Sequence, residues 1–148
     1  VICPATPSFA TPTASDACGT ASLTFNDATA PGSCVNNYTV TRTWTAADGC
    51  NNITTASQSI TVIDNTPPTV TATGTATSLG CNPTAAAIDA ALGSATASDA
   101  CSSVSVTVTD GAVSTTSCSS SQTRTFTAVD GCGNSATAIR STRLTTSH

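Results

Sequence analysis

Two short patterns place an acid near a cysteine, and each occurs twice. "DAC" ends at Cys18 and Cys101, and "DGC" ends at Cys50 and Cys132. An acid and a thiol at that spacing suit three kinds of chemistry: a metal site, a catalytic acid or a disulfide staple. Zinc sites draw on close C-x2-C pairs, whereas the nearest cysteines here, Cys118 and Cys132, are 14 residues apart. The chain has eight cysteines. An even number at recurring spacings in a small polar chain points to disulfides, and so to an oxidising, extracellular compartment.

The same inventory argues against catalysis. The one His is His148, there is no Lys for a Schiff base, and no glycine-rich phosphate loop occurs. Asp16 with Asp48, and Asp99 with Asp130, are each expected at one pole, but nothing in the sequence separates their pKa values as an acid–base pair needs. The expectation is a non-enzyme.

The elements that position these groups follow from composition. Thr and Ser supply 32 and 20 of the 148 residues, only 3% are aromatic and 8% charged. β-branched Thr and Val favour strands, and few large side chains make a thin core that needs covalent help. A net charge of −4 argues against nucleic acid and anionic membrane. No stretch is apolar enough to span a bilayer, and none reads as a signal peptide. The chain is therefore expected to be a processed product or a piece of a longer one.

Aligning the cysteines shows two copies of one unit. Cys3, Cys18, Cys34 and Cys50 match Cys81, Cys101, Cys118 and Cys132, at offsets of 78, 83, 84 and 82 residues. That period suits a sandwich domain. The joint falls at "VIDNTPPTV" (62–70), where Pro-Pro stops a strand and stiffens a linker. The predicted domains are 1–65 and 66–148. His148 matches Thr66 and Val1 matches Leu79, so the first unit lacks the counterpart of "TPPTVTATGTATS" (66–78), the expected first strand of the second. A window from a longer array explains this; the sharper alternative is a strand donated by another chain.

Alternation sets a register. In "YTVTRTWTA", Tyr38, Val40, Arg42, Trp44 and Ala46 share one face and four Thr the other. Pairing Phe25 with Trp44 brings Leu23 to Ala46 and Asp27 to Arg42. The second unit repeats the pattern, with Val106 to Ala128, Val108 to Phe126 and Asp110 to Arg124. The ion pairs Asp27–Arg42 and Asp110–Arg124 are expected to be structural, at the margin of a thin core. Cys18 and Cys50 fall one residue out of that register. In an immunoglobulin-like sandwich the second and sixth strands run the same way, so their ends meet at one pole. The expected disulfides are thus Cys18–Cys50, Cys101–Cys132, Cys3–Cys34 and Cys81–Cys118, each worth roughly 3–4 kcal/mol by loop closure. Four cysteines per unit allow three connectivities, so spacing alone leaves this open. "NPTAAAIDAALG" predicts one short helix, capped by Asn82, opened by Pro83 and closed by Gly93. The fold class is all-β, two tandem disulfide-stapled immunoglobulin-like β-sandwiches with that helix in the second.

The segments "PTASDAC", "NNYTVTRTWTAADGCNN", "ITVIDNTPP", "LGCNPTAAAIDAALG" and "TRTFTAVDGCGN" resemble the cysteine-containing, HYR-like or immunoglobulin-like repeats of very large secreted proteins of Bacteroidota. The resemblance covers nearly the whole chain. It implies surface adhesins or extracellular fibres, often exported by the type IX route, and it implies spacing or assembly, not chemistry. "AIRSTRLTTSH" departs from the pattern and lacks the Asp-Asn-Thr-Pro-Pro linker.

The function expected is a non-catalytic structural repeat, a stiff spacer or assembly module at the cell surface; the alternative is a carbohydrate-binding module. No cofactor is required. Asp64, Asn65, Asp99 and Asp130 offer hard oxygen ligands that would suit Ca²⁺ if the units stack end to end. Expected partners are neighbouring repeats of the same or identical chains and surface glycans. Asn37-Tyr-Thr and Asn52-Ile-Thr are N-glycosylation sequons.

Overall fold

Runs of Thr alternating with apolar residues become strands, because β-branched side chains fit a pleated, half-buried surface. The computed structural model describes residues 1–75, 77–116 and 119–145. These residues are mostly β, in ten strands with one short helix. The chain divides into two compact units, Val1–Asn65 and Thr66–His148.

The first unit is an antiparallel meander of β1 (Ser22–Pro31), β2 (Tyr38–Ala47) and β3 (Ile53–Val62). Its register pairs Leu23 with Ala46, Phe25 with Trp44 and Asp27 with Arg42. One face is a hydroxyl ladder, with Thr39 bonded to Thr61 at 3.0 Å and Thr41 to Ser59 at 2.8 Å. The other face carries Trp44 and Val62, the unit's buried apolar side chains. The N-terminal segment lies across that face. Phe9 meets Trp44 edge-on, with ring centroids 6.3 Å apart, and lies 4.4 Å from the Arg42 guanidinium carbon. Ile2 forms a parallel bridge with Ile63, and the Cys3 N–H donates to the Ile63 carbonyl at 2.9 Å.

The second unit has two sheets. The larger runs β5 (Ser78–Cys81), β10 (Ser135–Thr145), β9 (Ser119–Asp130), β7 (Val104–Asp110), with β8 (Ser114–Thr116) also paired to β9. The smaller pairs β4 (Thr69–Thr73) with β6 (Ser94–Ser98). β4 packs against β10 and β9, and β6 against β7 and β9. Between the layers Phe126 and Ala128 are fully buried. Val106 pairs with Ala128, Val108 with Phe126 and Asp110 with Arg124, as the alternation predicts.

The helix α1 (Ala85–Leu92) buries Ala91 and Leu92. Its cap differs from the expected Asn82. Thr84 is the N-cap, its hydroxyl accepting from the Ala87 N–H at 3.2 Å, while Asn82 sits at φ 54° before it. An N-cap takes extended backbone, as Thr84 does at φ −72° and ψ 157°, and the left-handed Asn82 does not, so the helix opens two residues later. Gly93 closes it as expected, at φ 67°.

The all-β expectation is met, but two tandem sandwiches are not both seen. The first unit has a single sheet among its described residues. Residues 11–15 match β6 of the second unit, which is a strand because β4 pairs with it. Residues 11–15 carry a similar sequence pattern without strand structure.

Candidate functional site

Each Asp near a cysteine first makes a turn. The Asp48 Oδ1 accepts from the backbone N–H groups of Cys50 and Asn52, both at 2.8 Å, and Oδ2 accepts from Asn52 Nδ2 at 2.7 Å. Asp130 does the same with Cys132 and Asn134, and its Oδ2 accepts from Asn134 Nδ2, all three at 2.8 Å. The hairpins close through Asp48 N–H to the Asn52 carbonyl and Asp130 N–H to the Asn134 carbonyl. Asn51 and Gly133 take the positive φ these turns require. The two "DAC" acids act alike, Asp16 on the Cys18 N–H at 3.3 Å and Asp99 on the Cys101 N–H at 2.7 Å. Asn52 and Asn134 are the partners that the cysteine spacing passes over. Their signal was an Asn four residues after each "DGC" acid.

In the two "DGC" turns these bonds favour the ionised acid. Asn52, through its side chain and then its backbone, keeps the Asp48 carboxyl below the usual range. Burial pushes the Asp130 carboxyl up, but the hydrogen bonds from Asn134 and its turn outweigh it and the net shift is downward. Asp16 and Asp48 line one cleft of about 170 Å³ together with Ser15 and Asn52. An acid held as carboxylate there is the opposite of what a general acid needs.

The expected ion pairs form. Arg42 grips Asp27 with two hydrogen bonds of 2.7 Å. Arg124 grips Asp110 at 2.6 and 2.8 Å, and also reaches Asp89 of α1 and the Gly93 carbonyl, each at 2.8 Å. Each Arg lies in the register of its sheet, and the second also ties the helix to it.

The cysteines divide. Cys3, Cys34, Cys101 and Cys132 are disulfide-bonded, two in each unit. Cys18 and Cys50 are exposed free thiols, which corrects the expected Cys18–Cys50 bridge. Their counterparts differ in what precedes them. Cys101 follows β6, which β4 holds as a strand, and the Ser102 hydroxyl accepts from the Gly131 N–H at 3.1 Å. Cys18 follows a segment without strand structure. Cys81 is also an exposed free thiol rather than the expected half of Cys81–Cys118; Cys118 lies outside the described residues.

The acids considered for Ca²⁺ sit as follows. In the first unit Asp64 is buried, its N–H donating to Asn37 Oδ1 at 2.6 Å, and Asn65 is exposed. In the second, Ser102 links the turns of Asp99 and Asp130, since its N–H donates to Asp99 at 3.1 Å. Both sequon amides have partners too, Asn52 Nδ2 on Asp48 and Asn37 Nδ2 on Ser33. Among the described residues, no helix is long and apolar enough to cross a membrane. No family model and no curated protein matches the chain.

Proposed function

We propose that the chain is a non-catalytic structural repeat of an extracellular adhesin or fibre, acting as a stiff spacer and assembly module. Its units are read as immunoglobulin-like repeats of the kind found in large secreted proteins of Bacteroidota, of which the first has only one of the two sheets. The observation that carries this reading is where the polar groups go. In both units Asp48, Asp130, Asp27 and Asp110 are committed to backbone N–H groups, an Asn or an Arg. Groups spent on closing turns and fixing register are not available for chemistry.

Disulfides and ion pairs then resist extension, and a Thr/Ser surface with few charges stays hydrated. This mechanical reading needs no metal at Asp64, Asn65, Asp99 and Asp130. It is also preferred to carbohydrate binding, because Trp44 and Phe126 are only 8% and 0% exposed, and the exposed Phe25 ring carries the Arg42 guanidinium 4.0 Å from its centroid. Electron microscopy of the native material tests it. A regular fibre with an axial repeat of one or two domains is the expected result. A lone globule, or binding on a glycan array, would count against it.

A further inference from the structure

The larger sheet of the second unit has an outer face, opposite the one that buries Phe126. Side chains directly opposed on paired strands share a face. Ser114 pairs with Ser121, Ser121 with Arg143 and Arg143 with Ser78. One row across four strands therefore reads Ser, Ser, Arg, Ser. Arg143 is five residues along β10 from Ala138, the partner of Phe126, so the period of two puts the row on the outer face. The Arg143 N–H donates to the Thr77 carbonyl at 2.9 Å, which holds Thr77 beside the row. Thr77, Ser114, Ser121 and Arg143 line a shared cleft of about 260 Å³.

Arg143 is set apart from the other three arginines. Arg42 is held by Asp27, Arg124 by Asp110 and Asp89, and Arg140 by the Ala91 carbonyl. The Arg143 side chain has no ion-pair or hydrogen-bond partner among the described residues, and neither have the hydroxyls of Thr77, Ser114 and Ser121. Other hydroxyls nearby bond one another, Thr116 with Ser119 at 3.2 Å and Thr123 with Ser141 at 3.0 Å. A guanidinium donates and never accepts, so the cleft holds a surplus of donors. No acid competes for them: neither 111–129 nor 131–148 contains Asp or Glu, in a chain of net charge −4. The first unit is the contrast. There the matching row is Ala30, Thr39 and Thr61. Thr61 stands where the second unit has Arg143, and its hydroxyl bonds that of Thr39 at 3.0 Å. That row is uncharged and satisfied within itself.

We infer that the second unit carries an oxyanion site on this outer face: the Arg143 guanidinium and the hydroxyls of Thr77, Ser114 and Ser121 take a sulfate or carboxylate group. Such a group meets the guanidinium fork with two parallel bonds, and its oxygens also accept from the hydroxyls. The cleft lies just below the usual range of ligand pockets, about 300–1,000 Å³, so it takes one such group and not an extended ligand. The group makes the same contacts whether it arrives as a free ion or on a polymer. The site goes beyond the structural reading above and does not rest on it.

The test titrates the unmodified chain with sodium sulfate and follows backbone amide shifts by NMR, against sodium chloride at equal ionic strength. Sulfate should give saturable shifts at residues 114, 121 and 143 that chloride does not give. Arg143→Gln should raise the half-saturation concentration at least ~10-fold. Its melting temperature should match that of the parent, because the Arg143 side chain has no partner to lose. Ser121→Ala should weaken sulfate by a smaller factor. Equal shifts in chloride, shifts scattered over the whole surface, or sulfate binding unchanged in Arg143→Gln would each overturn the inference. A parallel titration compares dextran sulfate with uncharged dextran. Tighter binding per sulfate group than inorganic sulfate shows assigns the site to a polymer-borne anion, and equal binding assigns it to the free ion. Uncharged dextran binding as well as its sulfate would also overturn it.

Discussion

The acid of each "DGC" is an architectural residue whose protonation state matters more than its reactivity. Asp27 and Asp110 are held below the usual carboxylate range by hydrogen bonds from Arg42 and Arg124, and Asp48 by Asn52. A depressed folded value means the unfolded chain binds the proton more readily. The contribution of these groups is complete above about pH 4, the unfolded range. It is lost as the pH falls through the depressed folded values. Urea midpoints between pH 7 and 2 should be flat down to about pH 4 and then decline; midpoints unchanged at pH 2 would contradict the assigned bonds. A second residue-scale expectation concerns Thr142, which is 1% exposed with an Oγ1 that has no hydrogen-bond partner. A buried hydroxyl left unmatched costs about 1–3 kcal/mol. Thr142→Val, which keeps the shape and removes the hydroxyl, should stabilise the second unit by about 1 kcal/mol in denaturant unfolding. The matching position in the first unit is already apolar, Ile60.

At the scale of elements, α1 is held along its C-terminal half. Arg124 joins β9 to Asp89 and to the Gly93 carbonyl, and the Arg140 Nε donates to the Ala91 carbonyl at 3.3 Å. Gly93 has a positive φ, and a Cβ there would meet the Thr73 carbonyl oxygen at 1.8 Å. Gly93→Ala should therefore cost roughly 2–3 kcal/mol, since neither the backbone of β4 nor the helix end can yield. Calorimetry on the variant checks it, and a change below the scatter would mean that the close approach relaxes freely. The helix itself was legible from Asn-Pro-Thr before an Ala-rich run and Gly after it. Its cap was misjudged by two residues because Asn, Pro and Thr each carry a start signal. Only the Thr84 hydroxyl reaches the Ala87 N–H.

At the scale of the whole molecule, the two units bury very different amounts. The first has Trp44 and Val62 as its buried apolar side chains, while the second has Ala91, Leu92, Phe126, Ala128 and Leu144. Stability follows buried apolar area, so the units should unfold separately. Scanning calorimetry should show two transitions, the lower one belonging to the first unit and shifted by removing its Trp44 side chain. A single transition with all probes coincident would show that the units unfold as one.

The sequence by itself determined the strand register, the ion pairs and the unit boundary. Those are set by local alternation and by chain spacing: a period of two fixes which side chains share a face, and two copies checked each other. Thus Phe25 opposite Trp44 and Asp110 opposite Arg124 needed no coordinates. Only the tertiary structure decided which cysteines bond and whether a second sheet forms. A disulfide needs its two ends held at bonding distance, and a strand needs a partner to accept its backbone bonds. Both conditions are met around Cys101 because β4 is present. Around Cys18 the same letters, Asp-Ala-Cys, follow a segment without strand structure and end in a free thiol.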